Sequence, residues 1–356
     1  MLSNGRAALN DGLEATTRRP TPAPRRRSVR DVAALAGVSV GTVSNVLNRP
    51  DLVAPGTAER VRQAIEQLGF VRNASARQLR AGDSRAVGAV VLDLANPFFA
   101  EVARGIEDRL AESGLVLALC SSHGSAATER RQLELLEEQR VLGVLITPLT
   151  LDTPDIAALR RRGTPVVLLD REDSKNEMCS VAVDDVRGGE LAVSHLLELG
   201  HRRIGFLNGP LSIRQCAERR EGALRAVRKA GLDPAAVIEE VTVRALNADG
   251  GEKGLQELAA ERLPSAVFCV NDLTALGVLR ALRAQGKAIP QDAAVVGYDD
   301  VEFAAMLTTP LTSVRQPMYE LGRAATELLL QEAADPSHCH EHIRFTPELV
   351  VRASSC

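Results

Sequence analysis

The stretch that decides the N-terminal fold is "VRDVAALAGVSVGTVSNVLN", residues 29–48. Its first half places Val32, Leu35 and Ala36 on one helical face, and the glycine that follows supplies a stop. A second apolar helical pattern begins at once from Ser39, a residue type that caps helix N-termini. Two short helices joined by a tight, glycine-containing turn predict a helix-turn-helix.

A third helical pattern, "PGTAERVRQAIEQLGF", completes this unit, because Val61, Ile65 and Leu68 recur at helical spacing. In a helix-turn-helix the second helix lies in the DNA major groove, with its early residues facing base edges. Asn45 has the amide that can pair bidentately with adenine, and hydroxyls can contact bases or phosphates. The residues predicted to face DNA are Val40, Gly41, Thr42, Ser44 and Asn45.

Charge is unevenly distributed along the 356 residues. Residues 1–85 contain 14 Arg and no Lys against 7 Asp and Glu, whereas the remainder has 29 basic and 39 acidic residues. A basic front joined to an acidic body predicts double-stranded DNA as a partner of the front. Residues 1–27 are rich in Arg, Pro and Thr without apolar periodicity, and we predict a disordered basic tail.

Composition also excludes several classes of protein. No run approaches the roughly 18 apolar residues of a membrane span, and no N-terminal apolar run is typical of a secretory signal. We therefore predict a cytoplasmic, nucleoid-associated protein without membrane contact. The six cysteines are scattered without CxxC pairs, which indicates reduced thiols. The run "HCHEH", residues 338–342, clusters metal-ligand residue types, yet its tight spacing suits a solvated loop equally well, and we predict neither metal nor other cofactor.

From Val87 onward, short apolar runs such as "AVGAVVLDL", "PVVLLD" and "AAVVGYDD" alternate with amphipathic segments. This βαβ series predicts parallel sheets with helices on both faces. Ligands of such sheets bind beyond the carboxyl ends of the strands, where polar residues end these runs. The core contains no GxxxxGK[ST], no GxSxG and no GxGxxG after its first strand, so we predict no catalytic residues and no enzyme.

The ordered series resembles the LacI/GalR (lac-repressor-type) family of bacterial transcriptional regulators from residue 28 to 352. The opening stretch resembles the family headpiece, "NASARQLRAG" its hinge helix, and the remainder its periplasmic-binding-protein-like core. The resemblance implies a core of two doubly wound parallel-sheet subdomains. The implied divisions are a headpiece at 28–72, a hinge helix and linker at 73–84, and a core at 85–352, with subdomains of roughly 85–183 with 316–344 and 184–315 with 345–352.

The resemblance also implies a second DNA contact, in the hinge. Leu79 takes the position of the family's minor-groove wedge, which kinks the operator. Val40 and Gly41 align with principal base readers of the family, yet neither side chain can hydrogen-bond. Simple helix filling for these two, and linker packing for Leu79, remain alternatives. The hinge residues predicted to contact DNA are Asn73, Ala76, Leu79 and Arg80.

The core resembles the ribose-type, sugar-sensing branch of the family, in which "LANPFFAEVARGIE" is the first ligand segment. Arginine with carboxylate and amide partners suits the recognition of hydroxyls. The phenylalanines could instead be a core pair, and each acidic residue a strand-end cap or a surface charge. The residues predicted to bind ligand are Asn96, Phe98, Phe99, Asp170, Arg171, Arg219, Asn271, Asp299 and Gln316.

The function that follows is a transcriptional regulator, a repressor, which binds a palindromic operator as a homodimer. Its effector would be a monosaccharide-like carbohydrate bound between the subdomains, acting as inducer or corepressor. One alternative is a regulator of the same type that senses a purine or another small metabolite. Another is a transport-type sugar-binding protein, which the basic front argues against.

Overall fold

The computed structural model describes residues 27–70, 85–150, 154–173, 176–260, 262–335 and 337–356. These residues form two compact units, which meet in the sequence between residues 82 and 83. The predicted tail at 1–26 and the predicted hinge lie outside the described residues.

In residues 27–70, the described part of the N-terminal unit, the chain forms three helices and a short 3-10 turn at residues 50–52. Ser28 caps the first helix, and the Asp31 carboxylate accepts a hydrogen bond from the Ser28 backbone nitrogen over 2.7 Å, which completes a capping box. Gly37 ends that helix in the left-handed conformation, at a φ of 64°, so the second helix begins within three residues. The helices are α1 (Val29–Ala36), α2 (Val40–Asn48) and α3 (Pro55–Leu68).

The core of this unit is made of small and branched apolar side chains from all three helices. Val32, Val43 and Val61 are fully buried at its centre. The sequence pattern was wrong about Leu35, which is 47% exposed, whereas Ala33 is buried. The helix has only eight residues, so a rotation of its apolar face by a fraction of a turn changes which residues are buried. The compact core of Val and Ala side chains also leaves little space for a leucine at that edge.

The C-terminal unit contains two six-stranded sheets, each covered by helices. The first sheet has the strand order β11-β5-β4-β3-β1-β2 and is entirely parallel. Its strands are β1 (Ala86–Val91), β2 (Val116–Ser121), β3 (Val144–Ile146), β4 (Val166–Leu169), β5 (Ser180–Val183) and β11 (His342–Phe345). The helices between them are α4 (Pro97–Glu112), α5 (Ala126–Glu138) and α6 (Pro154–Arg161), and α13 (Met318–Ala334) packs against α4.

The second sheet has the order β12-β10-β9-β8-β6-β7 and is parallel except for β12, which pairs antiparallel with β10. Its strands are β6 (Ile204–Asn208), β7 (Ile238–Thr242), β8 (Ala266–Cys269), β9 (Ala294–Asp299), β10 (Thr312–Arg315) and β12 (Glu348–Val350). Its helices are α7 (Asp185–Glu198), α8 (Arg214–Lys229), α9 (Pro234–Val237), α10 (Ala248–Leu258), α11 (Asp272–Ala284) and α12 (Glu302–Met306).

Successive side chains of a strand point to opposite faces of the sheet, so each sheet has an apolar core on both faces. On β1, Val87, Ala89 and Val91 join one apolar cluster, whereas Val90 joins the cluster on the opposite face. Strands buried on both sides read as continuous apolar runs, which is why the runs in the sequence predicted them. The predicted fold class, a three-helix unit followed by an α/β core of two parallel sheets, is confirmed.

Two features of this fold position the candidate site. The chain passes from one sheet to the other between β5 and α7, between β10 and α13, and between β11 and β12, so each sheet is built from distant segments. Helices α7 and α8 pack at very close range because Gly222 lies against the backbone, where an added Cβ would be 2.0 Å from the carbonyl oxygen of Val186. Among the described residues no helix has the length and apolarity that crossing a bilayer requires.

Candidate functional site

Helix α2 presents the five residues predicted to face DNA. Val40 is 42% exposed, Gly41 and Asn45 are exposed as well, and Thr42 and Ser44 are half-buried. Accessibility at the beginning of this helix is what a major-groove contact requires.

Both hydroxyls of this set already have hydrogen-bond partners. Thr42 Oγ1 lies 2.9 Å from Oγ of Ser39, which also accepts from the Thr42 backbone nitrogen and so caps the helix. Ser44 Oγ accepts from Nδ2 of Asn48 over 3.2 Å. A hydroxyl retains further hydrogen-bonding capacity, so each can still contact DNA in a fixed orientation. Within the described parts of the chain the Asn45 side chain makes no hydrogen bond, and its amide is the group most available to read a base.

Gly41 is not required by the packing of this unit. An added Cβ would meet only Ser39 Oγ, at an ordinary contact distance of 3.5 Å. The fold would therefore tolerate a side chain at position 41. With glycine there, this part of the predicted DNA-facing surface has none. The roles of Asn73, Ala76, Leu79 and Arg80 fall outside the described residues and stay predictions.

A cavity lies between the two sheets of the C-terminal unit, beyond the carboxyl ends of their strands. Its volume, measured to the centres of contacting water molecules, is about 70 Å³. This exceeds the roughly 10–15 Å³ that a cavity needs to hold one water, so polar ligand groups have space to enter. Eight of the predicted ligand residues line it: Asn96, Phe98, Phe99, Asp170, Arg219, Asn271, Asp299 and Gln316.

Asp299, the last residue of β9, is the centre of a hydrogen-bond network that joins the subdomains. Asn96 Nδ2 donates to one carboxylate oxygen over 3.1 Å, and Gln316 Nε2 donates to the other over 2.8 Å. Asn96 also caps α4, since its Oδ1 accepts from the Phe98 backbone nitrogen. The side chain from the first subdomain is thereby oriented by its own helix before it reaches across the cavity.

Arg219 is held by contacts on every side. Its Nε donates to Asp185 over 2.8 Å, one terminal nitrogen donates to the Val270 carbonyl over 2.7 Å, and the guanidinium lies 3.6 Å above the Tyr298 ring. The same terminal nitrogen is 3.9 Å from a carboxylate oxygen of Asp299. The close packing of α7 against α8 makes this possible, because it brings the Asp185 and Arg219 side chains together. Arg219 therefore presents a fixed positive charge to the cavity.

Asp170, the residue after β4, faces Arg219 from the first subdomain. Gln215 Nε2 donates to its carboxylate over 2.9 Å and to its carbonyl over 2.7 Å, which is a second link across the cavity. Asp170 and Asp299 both have positive φ angles, 55° and 103°. Such conformations cost about 1–3 kcal/mol for a residue with a side chain, and they concentrate at functional sites.

Burial changes the protonation of these carboxyl groups. Desolvation raises the pKa of Asp299 to about 6, even though Arg219 and the two amide donors oppose the shift. Desolvation and the nearby Asp185 charge raise the pKa of Asp170 well above its ordinary value. Burial disfavours the charge of Arg219, but Asp185 and Asp299 outweigh this and keep its pKa above the usual range. The cavity therefore combines one permanent cation with carboxyl groups that bind protons readily.

Two acceptor oxygens of the lining residues lack hydrogen-bond donors. Asp170 Oδ1 and Gln316 Oε1 are buried, and neither accepts a hydrogen bond from any residue that the structure describes. An unsatisfied buried acceptor costs about 1–3 kcal/mol. A small molecule rich in hydroxyl donors would relieve this cost once the side chains rearrange to expose the two oxygens.

The phenylalanines are both core and lining residues. Their rings pack edge to face, with centroids 4.9 Å apart, and they are 3% and 5% exposed. Phe98 and Phe99 also belong to the main apolar cluster of the first subdomain. They give the cavity an apolar wall that is continuous with the core, so the two readings of this pair are compatible.

Arg171 is the one predicted ligand residue outside the cavity lining. Its guanidinium reaches the Pro148 carbonyl oxygen over 3.2 Å. Asp170 leaves the strand with a positive φ and faces the cavity, whereas Arg171 turns toward the loop after β3. This placement does not support a direct ligand contact by Arg171.

The sequence reasoning missed several lining residues, of which Gln215 is the most important for hydrogen bonding. It stands in the first turn of α8, directly beyond the carboxyl end of β6, and that position alone could have identified it. Asp93 was visible as a strand-end carboxylate. The additional lining residues are Leu92, Asp93, Ile213, Gln215, Cys216, Leu246 and Val270.

Comparison with known proteins identifies family models that match both units and relatives that match most of the chain. The model of "Bacterial regulatory proteins, lacI family" matches residues 28–73, and that of "Periplasmic binding protein-like domain" matches residues 193–355. The ribose operon repressor of Escherichia coli (strain K12) is 34% identical over 330 residues, covering 92% of this chain and 99% of that protein. The HTH-type transcriptional repressor PurR of Aliivibrio salmonicida (strain LFI1238) is also 34% identical over 330 residues, covering 92% and 98%.

Among solved structures, the lac repressor dimer bound to operator and the anti-inducer ONPF is similar along nearly its full length. The TM-score is 0.79 at 29% sequence identity, and the match covers 93% of this chain and 99% of that one.

Proposed function

The chain belongs to the LacI family of bacterial regulatory proteins, and from this premise we propose that it represses transcription under the control of a monosaccharide-like effector. It is a DNA-binding regulator and not an enzyme, as its relatives are. The resemblance that the sequence predicted is thereby confirmed. We propose that two copies bind a palindromic operator, because a symmetric dimer matches two equivalent half-sites.

The polar cavity between the sheets carries the proposal of a sugar effector. Arg219, Asp299 and Asn96 form a connected network of charged and amide groups beside the apolar wall of Phe98 and Phe99. Hydroxyls meet the first set and the C–H faces of a sugar meet the second. The two unsatisfied acceptors require donors, which a polyol supplies.

On the DNA side we propose a division of labour between α2 and the hinge. Asn45 is the principal side chain for reading bases, assisted by Thr42 and Ser44. Leu79, from the hinge, supplies the minor-groove wedge. The proposed domain boundaries are a headpiece at 28–72, a hinge at 73–84 and a core at 85–352. We place the protein in the cytoplasm, at the nucleoid where its DNA is.

Effector control follows from the links across the cavity. Asn96 with Asp299, and Gln215 with Asp170, join the two subdomains by side-chain hydrogen bonds that a ligand would replace or reinforce. A ligand shifts the balance between two core states only if it binds one of them more tightly. Because hydroxyls compete directly for these groups, the subdomain arrangement and ligand binding are coupled, which gives a route to altered operator affinity.

A purine is the second candidate effector, favoured by the equal identity to PurR. The two candidates differ in what the cavity must offer. A purine needs a flat aromatic face to stack on, whereas Phe98 and Phe99 stack edge to face on each other.

Footprinting on the DNA upstream of the protein's own gene, with a panel of pentoses, hexoses and purines, tests the proposal. We expect a protected palindrome, with protection altered by one monosaccharide and unaffected by purines. Leu79→Ala should weaken protection of that site while keeping most nonspecific binding, since the wedge acts on a specific base step. Absence of any protected palindrome at low salt would refute the regulator proposal, and a response to purines alone would refute the sugar effector.

A further inference from the structure

A second cluster of polar side chains lies in the first subdomain, at the opposite edge of its sheet from the cavity. Cys179 immediately precedes β5, Glu332 is in the last turn of α13, and His338 and His340 lie in the segment that leads into β11. Because β11 pairs in parallel with β5, the residues that precede the two strands lie side by side. Tertiary structure therefore joins groups that are about 160 positions apart in the sequence.

The atoms of this cluster that can bind a metal converge on one point. Cys179 Sγ, a carboxylate oxygen of Glu332 and a ring nitrogen of His340 all lie within 4.8 Å of one another. The sulfur is 3.8 Å from His340 Nδ1 and 3.3 Å from His338 Nε2. A tetrahedral zinc ion, with Zn–S of about 2.3 Å and Zn–N of about 2.0 Å, separates its sulfur and nitrogen ligands by about 3.5 Å. The two observed separations lie on either side of that value.

Two of the atoms that can bind a metal in this cluster are buried, although Glu332 and His340 are half-buried as residues. Cys179 is fully buried, and Oε2 of Glu332 is also buried without accepting a hydrogen bond from the part of the chain that the structure describes. The Glu341 backbone nitrogen donates to Cys179 Sγ over 3.4 Å. Such a donor stabilises a thiolate, and second-shell hydrogen bonds of this kind accompany metal ligands.

We propose that Cys179, Glu332 and His340 bind one transition-metal ion of the Zn²⁺ class. Thiolate and imidazole ligands select such ions over Mg²⁺ and Ca²⁺, which prefer oxygen. On binding, the thiol releases its proton to solvent while the imidazole binds in its neutral form. The three ligands come from α13, from the residue before β5 and from the segment before β11, so the ion ties these elements together.

This site is not the local run that the sequence suggested. Cys339 is exposed, and His342 is engaged by Ser180 and by Asn176. The proposal revises our expectation of no metal, because the decisive ligand, Cys179, is remote in the sequence.

Titration of the full-length protein with Co²⁺, a spectroscopic substitute for Zn²⁺, tests the proposal. We expect one equivalent to bind with a thiolate-to-cobalt charge-transfer band in the near ultraviolet, which Zn²⁺ then displaces. Cys179→Ser should abolish the band, and Cys339→Ser, in the neighbouring segment, should leave it intact. Since losing a second-shell partner already weakens metal binding about 10–100-fold, losing this ligand should weaken Zn²⁺ binding more than about 100-fold.

Glu332→Gln keeps the shape of the side chain, and it tests the site independently if the Cys179 variant misfolds. We expect it to weaken Zn²⁺ binding at least about tenfold, as loss of a ligand exceeds the loss of a second-shell partner. Binding without a charge-transfer band, a band that Cys339→Ser removes, or affinity unchanged by Glu332→Gln would each overturn the proposal. Failure of the wild-type protein to bind Co²⁺ at all would do the same.

Discussion

The proposed DNA-facing surface of α2 and the proposed effector cavity between the sheets hold their polar groups in opposite ways. On α2, Asn45 is exposed and makes no side-chain hydrogen bond among the described residues. In the cavity, Arg219 and Asp299 are buried, charged and bonded to several neighbours. Recognition groups on α2 can therefore change without affecting the fold, whereas those of the cavity are part of what holds the core together.

Replacing Arg219 with methionine should give the largest effect. The change leaves the buried carboxylate of Asp185 without its cation, and removing one partner of a buried ion pair costs about 3–5 kcal/mol. We expect that loss in the free energy of unfolding, measured with urea, together with loss of the effector response.

The neighbouring residue provides a matched control. Arg220 pairs with Glu240 in a partly exposed position, so Arg220→Met should cost less than about 1 kcal/mol. Equal losses in the two variants would mean that the cavity network contributes no more to stability than a surface ion pair.

Asp299→Asn tests the protonation of the cavity. The pKa of Asp299 is about 6 in the folded protein and about 3.8 when unfolded, so the folded state binds the proton more tightly. Wild-type stability should therefore fall relative to the variant as pH rises from about 4 to 6, by roughly 3 kcal/mol for two pKa units, and then level off. Parallel stability curves for the two proteins between pH 4 and 8 would contradict the shift.

Asn45→Ala addresses the exposed side of the comparison. We expect it to lower the free energy of operator binding by about 1–3 kcal/mol, the value of a bidentate base contact, with nonspecific DNA binding preserved. Stability should change by less than about 0.5 kcal/mol, since no internal contact is lost. Gln67→Ala, at an exposed position of α3, is the control, and equal loss of operator affinity there would remove the special role of Asn45.

The last prediction compares two glycines, at which substitution by alanine should change the stability in opposite directions. Gly41→Ala should stabilise the N-terminal unit by up to about 1 kcal/mol, because alanine is the better helix former and its Cβ has space. Gly222→Ala should instead destabilise the core, where the new Cβ would meet the Val186 carbonyl. Thermal unfolding of both variants measures the pair, and a stable Gly222 variant would show that α7 and α8 can separate at little cost.

The fold was predictable because its strands are buried on both faces and its helices are amphipathic, so periodicity separates them. Asp170 and Asp299 could be predicted because they are polar residues at the ends of the apolar runs that form β4 and β9. Arg171 could not be resolved, since the direction of a side chain after a strand depends on a local turn that sequence does not specify. Gln215 was missed because only polar residues at strand ends were considered, and it lies in the first turn of the following helix. Cys179 gains its histidine neighbours only through the pairing of β5 with β11.

Both sheets receive their final strand from residues 342–350, whereas the core of α1, α2 and α3 is complete by residue 70. During synthesis the reading unit can therefore fold while the edges of β5 and β10 are still unpaired. A chain whose translation stops early would carry a folded DNA reader and an unfinished sensor. The edges of β5 and β10 are covered only once residues 342–350 have been synthesised, so the sheets that line the cavity are completed long after α1, α2 and α3.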